Sequence, residues 1–168
     1  MCIRDRFCLH GSGVHTISVG AASPGDLDLH LEAALKLDQA DRLLPPVLER
    51  LEEARREALG EDWLASWNQG LPRWEQTPGA MNLPVLLWLH NLLEGWDLQH
   101  YGKNRYGLLG QGGHWFPGCN ADALDREVSE QQLRAVLGGS PWAEAIPPLL
   151  RRLRQHLGGE AQTRLQQE

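Results

Sequence analysis

Apolar residues along this chain recur mostly at helical spacing, with one exception near its start. Over residues 83–96, Leu86, Leu89, Leu93 and Trp96 fall on one stripe, which predicts a strongly apolar, buried helix. A shorter helix is expected over residues 101–109. Ser129 with Gln132 forms a capping-box pattern ahead of Leu133, Val136 and Leu137. Ser140-Pro141 is expected to open a last helix whose Trp142, Ile146, Leu149, Leu150, Leu153 and Leu157 share a face, and Gly158-Gly159 to end it. Nearer the start, Ser23 can cap a helix with Pro24 at its first position, and Leu27, Leu31, Ala34 and Leu35 supply its apolar stripe. Pro45-Pro46 punctuates a further helix running to about Leu59, with Val47, Leu48, Leu51, Ala54 and Ala58 on one side and a charged, solvated face on the other. Residues 60–82 and 110–123, rich in Gly, Pro and Trp, are expected to be irregular.

The exception is Val14-His15-Thr16-Ile17-Ser18-Val19-Gly20, where alternation and β-branched residues predict a strand. It follows what reads as the last turn of a helix at Phe7-Cys8-Leu9, closed by His10-Gly11-Ser12-Gly13. A strand that breaks at Gly20-Ala21-Ala22 and starts a helix at Ser23-Pro24 presents backbone N–H groups to an anion, phosphate above all. The same pattern also makes an ordinary tight strand-to-helix turn. No comparable strand follows, and one strand–helix unit closes neither a barrel nor an open sheet, so the pattern reads as the tail end of a larger fold.

Size and charge narrow the choices. The 168 residues permit one domain, or part of one joined to a small second domain. A hydrophobic fraction of 42% is that of a folded chain. A formal charge of −6 argues against nucleic acid as a partner, because phosphate neutralisation needs clustered Lys and Arg. No apolar run reaches bilayer length. Cys2, Cys8 and Cys119 are odd in number and scattered, as expected of reduced thiols in a cytoplasmic protein. His90 and His100 lack any Cys, Asp or Glu cluster at metal-ligand spacing and read as packed or surface histidines. Gly107-Leu108-Leu109-Gly110-Gln111-Gly112-Gly113 follows a helix instead of a strand and so fails the context of a dinucleotide loop. Arg151, Arg152 and Arg154 read as a solvated face. Met1-Cys2-Ile3-Arg4-Asp5-Arg6 resembles a translated sequencing-adapter remnant of the kind that heads reading frames from environmental DNA, and residues 1–6 are left out of the expected fold.

Two stretches resemble one family. Phe7-Cys8-Leu9 through Val14–Gly20 and on to Asp26-Leu27-Asp28 is similar to the end of an aldo/keto reductase barrel: the last crossover helix, the eighth strand and the helix after it. Met81-Asn82-Leu83-Pro84, then Tyr106-Gly107-Leu108-Leu109 and Gly113-His114-Trp115-Phe116-Pro117-Gly118, resemble the C-terminal extension of the subgroup that carries a ferredoxin-like helical module. The resemblance implies a mainly α piece: the last βα unit of a (β/α)8 barrel over residues 7–36, a connecting helix over 37–60, an all-helical module over 61–158 and a mobile tail over 159–168. It implies the C-terminal part of an NAD(P)H-dependent oxidoreductase that moves hydride to or from a carbonyl or alcohol carbon of a small molecule. The catalytic Tyr, Lys, Asp and His would lie on earlier strands, so the chain by itself would be inactive. For the cofactor NADP(H), the resemblance places Gly20, Ala21, Ala22, Ser23 and Asp26 at the adenosine phosphate and His30 near the adenine. Ala21 and Ala22 stand where a cation is usual, and the Asp26 carboxylate opposes a phosphate. In the extension, the two expected iron–sulfur motifs align on Trp67, Gly70, Arg73 and Thr77, and on Glu130, Leu133, Val136 and Ser140. None is a thiol, so no cluster is expected, and Trp67, Trp74, Leu133 and Val136 would fill the space by packing. The alternative is a non-catalytic helical module that docks a protein partner.

Overall fold

The computed structural model describes residues 3–111 and 117–159, and the chain divides into two compact units, Met1–Glu53 and Ala54–Glu168. The chain is mainly helical, and among the described residues no strand forms. Of the stretches expected from sequence, Met1-Cys2, His114-Trp115-Phe116 and the tail past Gly159 lie outside the described residues.

The first unit holds α1 (Ile3–His10), α2 (Pro24–Leu35), a single 3-10 turn at Leu37–Gln39 and the start of α3 (Ala40–Leu59). Helices α1 and α2 pack together. Residues 3–6, set aside in the sequence reading, form the first half of α1, with Asp5 and Arg6 buried. The expected strand at 14–20 does not form. A strand is stabilised by its ladder to a neighbour, and no neighbouring strand exists among the described residues, so this segment runs without helix or sheet. Helix α2 starts where Ser23-Pro24 places it, but its packing is inverted relative to expectation. Its buried side carries Ala33, flanked by the half-buried Asp26 and His30, while Leu27, Leu31 and Leu35 are 55%, 59% and 73% exposed. Helix α3 begins at Ala40, ahead of Pro45-Pro46. Each proline removes one helical N–H donor near the helix start, a loss set against the burial of Ala40 and Leu44.

The second unit is built on α5 (Leu83–Trp96), α6 (Gln99–Leu108) and α8 (Ile146–Leu157), which pack pairwise on one another. Leu83, Leu86, Leu87 and Leu89 of α5, Leu133 of α7 (Glu130–Val136) and Ile146, Leu150 and Leu153 of α8 close the core. Asn82 caps α5 by accepting the Val85 N–H at 3.2 Å, and Ser129 with Gln132 forms the expected capping box of α7. Two boundaries differ from the sequence reading. Residues 61–66, expected to be irregular, form α4 (Glu61–Ser66), because Gly60 at φ +79° breaks the chain out of α3 and Glu61 and Asp62 sit in the new first turn. Helix α8 starts at Ile146 instead of Ser140: Pro147 and Pro148 occupy its first turn, where a missing N–H costs nothing, and residues 141–145 form turns.

Candidate functional site

The turn that leads into α2, residues 20–30, is a polar cluster tied to α1. The Asp26 carboxylate accepts the Ala22 N–H at 2.8 Å and the Ser23 N–H at 3.0 Å. Those two backbone bonds hold its carboxyl below the usual carboxylate range. His30 Nε2 lies 3.4 Å from the Gly20 carbonyl, and its Nδ1 bonds the buried Asp5 of α1. The Asp5 bond raises the His30 pKa. Hydrogen bonds therefore join Ala22, Ser23 and Asp26 in one set and Gly20, His30 and Asp5 in another, while Ala21 contributes only exposed backbone and a methyl group. This turn does not fit a phosphate group. The two amides best placed for an anion are already taken by an ionised carboxylate of the same chain, and no Lys or Arg stands between Gly20 and His30.

In the second unit the stretches that carried the extension pattern meet. Met81 and Cys119 form a parallel bridge, with the Asn82 N–H donating to the Cys119 carbonyl at 2.9 Å and the Cys119 N–H to Ala80 at 2.7 Å. The Asn82 side chain donates to the Pro117 carbonyl at 2.7 Å. Gly118, at φ +83°, leaves room for this approach: a Cβ there would stand 2.8 Å from the Ala80 carbonyl oxygen. The eight positions aligned with cluster cysteines scatter in environment. Leu133 is in the core, Trp67 and Val136 pack against it, and Thr77 and Ser140 are buried. Gly70 meets Gly139, next to Ser140, backbone to backbone. Arg73 is exposed and bonded to Glu75. Trp74 lies against Gly118. Among the described residues no group of three or more His, Cys, Asp or Glu side chains is arranged to hold a metal ion.

A cleft of about 690 Å³ in the second unit is a site that sequence reasoning passed over. Trp63 of α4, His90 and Glu94 of α5, Trp142, and Leu149 and Arg152 of α8 line it. The Trp63 ring lies edge-on to His90, with centroids 5.6 Å apart, and to Trp142, 5.1 Å apart. Both indole N–H groups are committed elsewhere, Trp63 to the Asn91 side chain at 2.7 Å and Trp142 to the Ser66 hydroxyl at 3.0 Å. His90 is 8% exposed. Among the described residues its ring makes no hydrogen bond, and the nearest carboxylate oxygen, Glu94 Oε1, is 3.8 Å from Nδ1. Burial, with a smaller contribution from Arg152, lowers its pKa to about 4, so the imidazole is neutral at pH 7. The spacing of four between His90 and Glu94 was the one signal in the sequence. Trp63, Trp142 and Arg152 are too far away along the chain to be linked to it by pattern.

The fold and these sites define a mainly helical protein with an aromatic-lined cleft and a carboxylate-filled turn. Comparison with protein-family models, with curated proteins and with solved structures gave no match. Among the described residues no helix is long and apolar enough to cross a membrane.

Proposed function

We propose that the chain is the C-terminal part of an aldo/keto reductase-like, NAD(P)H-dependent oxidoreductase acting on a small carbonyl compound or alcohol in the cytoplasm. In this reading residues 7–36 are its last βα unit and the second unit is a ferredoxin-like helical module without iron–sulfur clusters. The observation that carries the reading is the outward stripe of α2. Leu27, Leu31 and Leu35 present an apolar face to water beside a β-branched segment that has no sheet. A helix and a strand sequence in that state are what a βα unit looks like without the rest of its barrel. The bonds that tie Met81-Asn82 to Pro117 and Cys119 support the second half of the reading, since they join the separated stretches on which the extension pattern rests. The Asp26-filled turn bears on the cofactor. The Ala22 and Ser23 amides are held by Asp26 and the turn carries no cation, so in this reading the nucleotide's phosphate charge would be met mainly elsewhere in the protein.

The second reading, a non-catalytic module that docks a protein partner, draws on the same exposed leucines and on the unfit turn. Expression of the protein from a reading frame that includes upstream sequence separates the two. The enzyme reading expects saturable quenching of Trp fluorescence by NADPH or NADH and cofactor-dependent reduction of a test aldehyde. Absence of binding at millimolar cofactor, with no Tyr, Lys, Asp and His set encoded upstream, would establish the docking module instead.

A further inference from the structure

The cleft between α4, α5 and α8 is independent of the turn at residues 20–30 and of any nucleotide. Its charged groups are of two kinds. Glu61 is satisfied by Arg56 at 3.3 Å. Glu94 and Arg152, both exposed at the rim, have no ion-pair partner among the described residues other than the neutral His90 ring near Glu94. His90 is buried, faces the cleft and has an unused ring nitrogen. The His90 side chain keeps 10% of its surface exposed, so the ring opens on the cleft, where a ligand can reach it.

The 3.8 Å between His90 Nδ1 and Glu94 Oε1 is too long for a direct hydrogen bond. It suits one nitrogen that donates to both. A donor placed about 2.8 Å from each atom would subtend an angle of about 85°, close enough to the tetrahedral H–N–H angle for two nearly straight bonds. A primary ammonium group meets that requirement and adds charge complementarity to Glu94. Arg152 would repel a simple amine, but it matches a carboxylate on the neighbouring carbon. The Trp63 and Trp142 rings, with Leu149, offer carbon surface to an apolar side chain, since both indole N–H groups are already used.

We propose that this cleft binds a free α-amino acid with an apolar or aromatic side chain, its ammonium held between His90 and Glu94 and its carboxylate by Arg152. Asp62, at the edge of the cleft, adds to the negative potential that favours the ammonium end. The site senses or carries such a ligand and needs no bond to be made or broken.

Titration of the full chain with L-phenylalanine, phenethylamine and 3-phenylpropionate, followed by Trp fluorescence and by the His90 ring-proton shifts, tests the assignment. Phenylalanine should bind saturably, and each truncated compound about tenfold more weakly. Glu94→Gln should weaken phenylalanine and phenethylamine by a similar factor and leave phenylpropionate unchanged. Arg152→Gln should do the reverse, weakening phenylalanine and phenylpropionate only. Both side chains are exposed, and unchanged far-UV circular dichroism would show that the variants fold. Equal binding of all three compounds would reduce the cleft to an apolar crevice. Absence of saturation in the millimolar range, or phenylalanine binding by both variants as tight as by the unaltered chain, would overturn the proposal. Neither result bears on the oxidoreductase reading, which rests on cofactor binding by the upstream-extended protein.

Discussion

Two glycines with positive φ show how differently one atom can weigh. Gly70 and Gly60 both hold positive φ, +64° and +79°. A Cβ on Gly60 meets nothing within 4 Å, whereas on Gly70 it would stand 1.8 Å from the Gly139 carbonyl oxygen. Gly60→Ala should therefore cost about 1–3 kcal/mol, the conformational penalty of φ +79°, ψ 150° alone. Gly70→Ala has to push two backbones apart and should cost several times as much, to be read from urea midpoints of the two variants. His90 makes a second residue-level case. Its folded pKa lies below the ordinary value of 6.5, at about 4, so between those limits the unfolded chain binds the extra proton. Stability from this group is complete above pH 6.5 and falls as the pH drops toward 4, by on the order of 2–3 kcal/mol. His90→Phe keeps an aromatic ring against Trp63 and should abolish that part of the pH dependence. An unchanged slope of stability between pH 6.5 and 4.5 in the variant would contradict this account.

At the scale of elements, the periodic helices were the most legible. Leu83–Trp96 forms with the bounds its stripe predicts, and the Ser129–Gln132 box caps α7 as its spacing requires. Local chemistry decides both. What the sequence could not convey was anything set by a distant partner. Val14–Gly20 has strand composition, but a strand is completed by a neighbour, and none is among the described residues. The stripe of α2 is equally clear by periodicity, yet it faces outward while the side bearing Asp26, His30 and Ala33 turns inward, drawn by the His30–Asp5 pair. Ser140-Pro141 is a good opening signal for α8, but the prolines at 147 and 148 are the better one, and the helix starts at Ile146. The outward stripe gives a sharp expectation. Leu27→Gln, Leu31→Gln and Leu35→Gln together should change the thermal midpoint of this chain little, since more than half of each side chain already faces water. In the protein extended upstream the same three changes should destabilise by several kcal/mol if the stripe is then buried against a sheet.

For the whole molecule, the two units differ in kind. The second has a continuous core from Trp63 to Leu157, with fully buried side chains such as Leu86, Leu89, Leu133 and Leu150. Leu86→Ala should cost it about 2–5 kcal/mol, seen as a lower midpoint in chemical denaturation. The first has three buried apolar residues, Ala33, Ala40 and Leu44, and a buried Arg6 guanidinium with no hydrogen-bond partner among the described residues. An unsatisfied buried cation is a liability. The cleft was illegible for a different reason: His90, Glu94, Trp63, Trp142 and Arg152 each have an ordinary explanation alone, and only folding places them around one space. The most direct measurement is amide hydrogen exchange across residues 14–20, compared between this chain and the product of the upstream-extended reading frame. The account expects exchange near the free-chain rate here and protection approaching that of α5 in the longer protein. Fast exchange of those amides in both proteins would contradict it.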